Sequence, residues 1–153
     1  MKAAILSIGD ELTLGQTQDT NARWLATQLA ARGVRCVQFR VVPDDVAAQE
    51  AALRELAAAA QLVLVTGGLG PTDDDLTREA LRRAMDEPRE LVLDQPSLAL
   101  LDRWFRDRGR AMPDINRRQA LRPSGAECLR NDFGTAPGLQ AKLGAAKIGR
   151  AHV

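Results

Sequence analysis

The chain contains no tyrosine, a single histidine (His152), and only 3% aromatic side chains among its 153 residues. So few rings leave little from which to build the stacking platforms that hold single-stranded nucleic acid. Charge of either sign is also lacking in excess. A net charge of +1 gives no electrostatic reason to expect a nucleic-acid or membrane partner. The two cysteines, Cys36 and Cys128, sit in strand-like apolar runs and read as reduced core thiols of a cytoplasmic protein. No low-pKa partner stands near either, which argues against a nucleophilic thiol. No apolar run reaches membrane-spanning length. The opening Met1–Leu6 run is too short for a signal-peptide core before Asp10 and Glu11 intervene. With no tyrosine and no usable histidine, acid–base chemistry falls to carboxylates and metal-bound water.

What the chain does contain is organised around one stretch, Thr66-Gly67-Gly68-Leu69-Gly70-Pro71-Thr72-Asp73-Asp74-Asp75-Leu76-Thr77-Arg78-Glu79-Ala80. The unbroken apolar run Leu62–Val65 before it predicts a strand buried on both faces. Leu76, Ala80, Leu81 and Ala84 after it recur at helical spacing. Strand, glycine loop and helix form the junction at which open α/β sheets bind ligands, beyond the carboxyl ends of their strands. The stretch is not a P-loop, because Gly70 is followed by Pro71-Thr72 and not by Lys-Ser/Thr. It is not a dinucleotide fingerprint either, because the third glycine of G-x-G-x-x-G falls on Asp73.

Three consecutive aspartates would repel a phosphate that a bare helix start otherwise attracts. A divalent cation held by Asp74, Asp75 and Glu79 resolves that conflict, since hard oxygen ligands hold Mg²⁺ while phosphate fills its remaining positions. The simpler alternative is that one aspartate, or Thr72, caps the helix while the others lie in water. The N–H groups of Gly67, Gly68 and Gly70 are the expected phosphate cradle, with hydroxyl donors from Thr72 and Thr135. Asp10 and Glu11, closing the first strand, are candidates to orient an attacking water, or else a turn cap.

The remaining pattern alternates. A strand over Ala3–Ile8 is followed by a helix begun by Asp19 or Thr20 and ended by Gly33, with Ala22, Leu25, Ala26, Leu29 and Ala30 inward. A strand over Val34–Val42 stops at Pro43, and Asp44 or Asp45 caps a helix reaching Ala60. Further helices are expected over Asp94–Arg108 and Pro113–Leu121, and a strand over Glu127–Leu129. Short connections between alternating elements imply one domain with a mostly parallel sheet. The arginines between Arg103 and Arg122 are interspersed with Asp102, Asp107 and Asp114 and read as a solvated face.

Four segments together resemble a known family. They are Ser7-Ile8-Gly9-Asp10-Glu11-Leu12 with Gly15, Asp19 and Asn21; Thr66–Thr72 with Asp74, Asp75, Thr77, Glu79 and Ala80; Asn116 with Gln119, Ala120, Pro123, Gly125 and Ala126; and Asn131 with Gly134-Thr135-Ala136-Pro137-Gly138. In this order, over residues 3 to about 139, they resemble the amino-terminal domain of the CinA (competence/damage-inducible protein A) family, which has the MoaB/Mog molybdopterin-binding fold. The resemblance implies a three-layer α/β/α domain that splits ADP-ribose into AMP and ribose 5-phosphate. It brings in a divalent metal, Mg²⁺ or Co²⁺, with a monovalent cation as a further candidate. Asn131, Gly134 and Thr135 join the phosphate- or nucleotide-binding set. A small-molecule nucleotide and a homo-oligomeric assembly are the partners expected. Because the same fold handles molybdopterin, a molybdopterin-binding or pterin nucleotidyl-transferring domain is the alternative, and a non-catalytic binding module the third.

After Leu139 the chain departs from the family pattern. Residues 140–153 are expected to be an irregular or non-native tail, leaving the domain incomplete at its end. Lys147-Ile148-Gly149-Arg150-Ala151-His152-Val153 is what a common sequencing-library adapter encodes, so read-through is the expected origin. His152 is accordingly set aside as a catalyst or ligand.

Overall fold

The computed structural model describes residues 1–73, 75–87 and 90–150. Asp74 and His152 therefore lie outside the described residues.

Strand β1, Lys2–Ile8, is buried from Ala3 to Ile8, as an interior parallel strand requires. Burying Ile5, Leu6 and Ile8 contributes about 1.5–3 kcal/mol each. A short helix α1, Asp10–Thr13, follows. Helix α2, Thr20–Ala31, begins where Asp19 accepts the amide of Ala22 at 2.9 Å. It ends at Gly33, whose φ of +70° lets the Val34 amide turn back to the Leu29 carbonyl. Strand β2, Arg35–Val42, and helix α3, Val46–Ala59, come next, the helix capped by Asp45 on the Ala48 amide. Strand β3, Leu62–Thr66, leads through the glycine loop to helix α4, Thr77–Ala84.

Beyond α4, strand β4, Val92–Leu93, pairs antiparallel with β5, Leu121–Arg122. Between them lie α5, Gln95–Arg106, capped by Asp94, and a 3₁₀ helix, Asp114–Ala120, where an α-helix was expected. Strands β6, Glu127–Leu129, β7, Gly138–Leu143, and β8, Ala146–Arg150, complete the main sheet.

That sheet runs β2-β1-β3-β8-β7-β6. The strands from β2 to β8 are parallel; β7 runs antiparallel to β8, and β6 antiparallel to β7. The mixed, mostly parallel sheet carries α2 on one face, over Ala3 and Ile5, and α3 and α4 on the other, over Leu6, Ile8, Val63 and Val65. Chain order reverses about β1, since β2 lies on one side of it and β3 on the other, so the carboxyl ends of β1 and β3 mark the switch point at which open α/β sheets take ligands.

Residues 140–150 are not irregular. β8 sits between β3 and β7, with Val63 opposite Ile148 and Val65 opposite Arg150. Backbone pairing needs no particular side chain, so the weakly apolar run Ala-Lys-Ile-Gly-Arg can fill a central position. Arg150 fills it poorly. Its side chain is buried, its Nε and Nη1 find no hydrogen-bond partner among the described residues, and burial pushes its pKa far below the ordinary arginine value.

Candidate functional site

The glycine loop is fixed by its neighbours before any ligand is considered. A Cβ on Gly67 would lie 2.0 Å from the Ile8 carbonyl oxygen, so the loop after β3 rests directly on the end of β1. Thr77, at the start of α4, donates its hydroxyl to the Gly67 carbonyl at 3.4 Å, and Arg150 Nη2 donates to the same oxygen. A Cβ on Gly68, whose φ is +70°, would meet Thr77 Oγ1 at 2.5 Å. Glycine here is thus demanded by the fold itself. A side chain at Gly68 would strain the loop, beyond merely screening a ligand from it.

Arg78 does most of the pinning. Its buried guanidinium donates to the Leu69 carbonyl at 2.8 Å, the Gly70 carbonyl at 3.4 Å and the Gln119 carbonyl at 3.3 Å. Burial lowers its pKa to about 10, with the Asp75 carboxylate acting in the opposite sense. Sequence reasoning missed this residue. The available signal was a cation in the first turn of a helix, where the macrodipole disfavours it unless it has another task.

Among the described residues the carboxylates of this stretch do not converge on a common point. Asp75 Oδ1 accepts the Gly70 amide at 2.6 Å, while Oδ2 accepts the Thr72 amide at 2.9 Å and its hydroxyl at 2.5 Å. Its carboxylate is spent closing the loop, and the Gly70 N–H expected to cradle phosphate is spent with it. The Thr72 hydroxyl, expected to serve a phosphate, donates to Asp75 instead. Asp73 points into solvent, 94% exposed, where Arg118 meets it at 2.6 Å. Glu79 turns along α4 to Arg82 at 2.6 Å and Arg83 at 2.8 Å, and the hydrogen bond from Arg82 is the main reason its pKa falls to about 2. Among the described residues no three His, Cys, Asp or Glu side chains gather in a way that could hold a metal. The proposed ligand set of Asp75 and Glu79 therefore does not fit a divalent ion, and Asp74 lies outside the described residues.

At the same end of the sheet, Asp10 and Asp44 follow the ends of β1 and β2. Each carboxylate accepts the other's backbone amide, Asp10 N to Asp44 Oδ2 at 3.1 Å and Asp44 N to Asp10 Oδ1 at 3.0 Å. Glu11 is exposed and folds back over Gly9, where a Cβ would lie 2.4 Å from its Oε1. Asn21, at the start of α2, donates to the Thr66 hydroxyl at 3.1 Å.

The Asn131–Gly138 loop stands apart from these groups. Asn131 bonds within it, its Nδ2 to the Ala136 carbonyl at 2.8 Å and its Oδ1 from the Phe133 amide at 2.9 Å. Thr135 is tied to the glycine loop through two residues, Gln119 and Arg78. Gln119 Nε2 donates to its hydroxyl oxygen at 3.2 Å, while the Gln119 carbonyl accepts from Arg78. Asn131, Gly134 and Thr135 instead line a cleft of about 320 Å³ shared with α5.

A family model described as a probable molybdopterin binding domain matches residues 4–146. The chain belongs to that family. Within it, the relatives are CinA-like. It is 46% identical over 144 residues to the CinA-like protein of Anaeromyxobacter sp. (strain Fw109-5), covering 94% of this chain and 35% of the relative. It is 45% identical over 146 residues to the CinA-like protein of Geobacter sp. (strain M21), covering 95% and 35%. The chain thus spans about a third of the length of the curated relatives it matches. Among solved structures, CinA from Thermoplasma acidophilum aligns with a TM-score of 0.89 at 30% identity, over 99% of this chain and 87% of that one. The molybdopterin biosynthesis enzyme MoaB of Thermus thermophilus aligns with a TM-score of 0.63 at 23% identity, over 99% and 80%, a likeness of fold alone. The MoaB/Mog-like α/β fold read from the sequence is the fold of this CinA-type domain, and the family match runs past Leu139 to residue 146. Among the described residues no helix is long and apolar enough to cross a membrane.

Proposed function

We propose that this molybdopterin-binding-type domain takes a phosphorylated small molecule, a molybdopterin-like pterin or a nucleotide, at the carboxyl ends of β1 and β3. One observation carries the proposal. The Gly67 carbonyl is held from behind by Thr77, and because a trans peptide sets C=O and N–H on opposite sides, the Gly68 N–H of the same plane is aimed away from those contacts. An amide fixed in this way, at a strand-to-helix junction beside the topological switch point, suits a phosphate oxygen. Arg78 keeps the following two carbonyls turned inward, so the loop pays little ordering entropy when a ligand arrives.

A second reading is hydrolysis of a nucleotide diphosphate, with ADP-ribose giving AMP and ribose 5-phosphate. It is favoured by Asp10 and Asp44, two carboxylates held together at the same end of the sheet. In this reading Asp10, with Glu11, orients the water that attacks phosphorus.

A paired experiment separates the two. The protein is titrated with a pterin phosphate and, in parallel, incubated with ADP-ribose with and without Mg²⁺ or Co²⁺ while AMP is followed by chromatography. Saturable pterin binding without AMP supports the first reading, and AMP formation lost in Asp10→Asn supports the second. Neither binding nor turnover would reject both.

A further inference from the structure

Strand β2 leaves a long edge of the main sheet open. Among the described residues it pairs only with β1, so alternate peptides along Arg35–Val42 turn their N–H and C=O groups outward. The opposite edge, β6, is only three residues long, Glu127–Leu129. A long open edge is ordinarily blunted by proline, by lysine or by inward-pointing charge. β2 contains no proline and no lysine. Its central charge, Arg40, is drawn onto α3 by an ion pair with Glu55, and Gln38 donates to the same carboxylate at 3.3 Å. A bulge at Val37, which has no partner between Ala3 and Ala4, disturbs only the amino end; residues 38–42 stay in unbroken register with β1.

The open edge is also apolar. Val37, Phe39 and Val41 alternate with Gln38 and Arg40, and all three are exposed, Phe39 by 55%. Phe39 lies in register beside Ile5 and Val41 beside Ser7, so both stand on the face that carries α2 but outside its cover. A single exposed apolar side chain is ordinary. Three along one strand, beside backbone groups that lack a neighbour, form a template for another strand.

We infer that β2 is the docking edge for a second copy of this chain, the two β2 strands pairing antiparallel across a two-fold axis. The residues of the strand select that occupant and its register. With the axis at Phe39, Phe39 meets its own copy, Val37 meets the opposing Val41, and Gln38 meets the opposing Arg40. Moving the axis to Arg40 sets two arginines directly opposite one another, and moving it to Gln38 sets Val41 against Arg35. Registers in between set Phe39 against Gln38 or Arg40. The Phe39 register alone keeps the apolar side chains together and the like charges apart. On the other face each Glu55, already bonded to Gln38 and Arg40 of its own chain, keeps the charge balanced across the axis. Because β6 is too short to receive β2 of a further copy, the pairing closes at two chains and does not grow into a filament.

The test is the state of association of the whole chain, followed by sedimentation velocity from about 1 to 100 µM. A dimer whose fraction rises with concentration is expected. Phe39→Lys sets two ammonium groups face to face on the axis and should weaken the dimer by about ten-fold or more. Because Phe39 is more than half exposed in the single chain, that variant should keep the circular dichroism of the parent. Cysteine placement reads the register even if Phe39→Lys fails to fold. Directly opposite residues have Cα atoms about 4.5–5.5 Å apart, within disulfide reach, so Phe39→Cys should cross-link to its own copy under diamide. Val41→Cys, exposed on the same face but roughly 14 Å from its own copy, should not. A parent that stays monomeric throughout the range, a dimer untouched in a folded Phe39→Lys, or cross-linking no greater in Phe39→Cys than in Val41→Cys would each overturn the inference.

Discussion

Arg78 Nη2 donates to the carbonyl of Leu69 at 2.8 Å from inside the protein, although the two residues belong to different elements and the guanidinium is almost wholly buried. The same group reaches Gly70 and Gln119, so one side chain joins the glycine loop to the 3₁₀ helix. Arg78→Met keeps the length of the stem and leaves those carbonyls without their donor. Each orphaned buried acceptor costs about 1–3 kcal/mol, so a stability loss of about 3 kcal/mol is expected in urea titration. A loss below about 0.5 kcal/mol would show that the loop is held by something else.

Asp75 makes a contrasting case, because its charge faces backbone amides and no cation. Asp75→Asn replaces one acceptor oxygen by an NH₂ that must confront the Gly70 amide or the Thr72 N–H and hydroxyl. The expected result is a loss of about 1–3 kcal/mol of stability and a loosened loop, independent of added Mg²⁺. Thermal melts with and without the metal check it. A variant of wild-type stability whose ligand binding alone is lost would restore the role of metal ligand to Asp75.

The elements that could be read in the sequence are those whose causes are local. Asp19, Asp45 and Asp94 each cap a helix a few residues before an apolar period begins, and Leu62–Thr66 is apolar enough to name itself a strand. Strand β8 was not legible, because its place between β3 and β7 depends on pairing with residues more than eighty positions earlier, and Lys147 and Arg150 give no apolar pattern. The candidate site failed in the same way. Adjacency of Asp73 and Asp75 says nothing about direction, and in the fold one points to solvent and Arg118 while the other turns back on Gly70. The glycines were identifiable as a loop, but the contact of Gly67 with Ile8 that demands them lies between strands.

Glu79 predicts a pH dependence. Its folded pKa of about 2 lies below the ordinary 4.5, chiefly through the hydrogen bond from Arg82, with Arg83 adding to it. A depressed carboxylate pKa stabilises the folded state fully above the unfolded value, and that contribution disappears as pH falls from about 4.5 to about 2. Glu79→Gln should therefore be less stable than the parent at pH 6 and nearly equal to it at pH 2. Urea midpoints across that range decide it, and parallel curves for the two proteins would contradict the ion-pair assignment.

Arg150 gives the opposite sign. Its side chain lies in the centre of the sheet, with Val65 opposite on β3 and Leu139 opposite on β7, and two of its nitrogens lack partners among the described residues. Its contact to the Gly67 carbonyl returns only part of the cost of removing the charge from water. Replacing a poorly compensated buried charge by an apolar side chain of similar reach is often stabilising by about 1–4 kcal/mol. Arg150→Met is accordingly expected to raise the urea midpoint without changing the slope of the transition. Gly67 keeps its bond from Thr77 in that variant, so the glycine loop should hold its conformation and ligand affinity should stay within about two-fold. A fall in stability would mean that the guanidinium, and not the backbone pairing of β8, holds the end of the chain in the sheet.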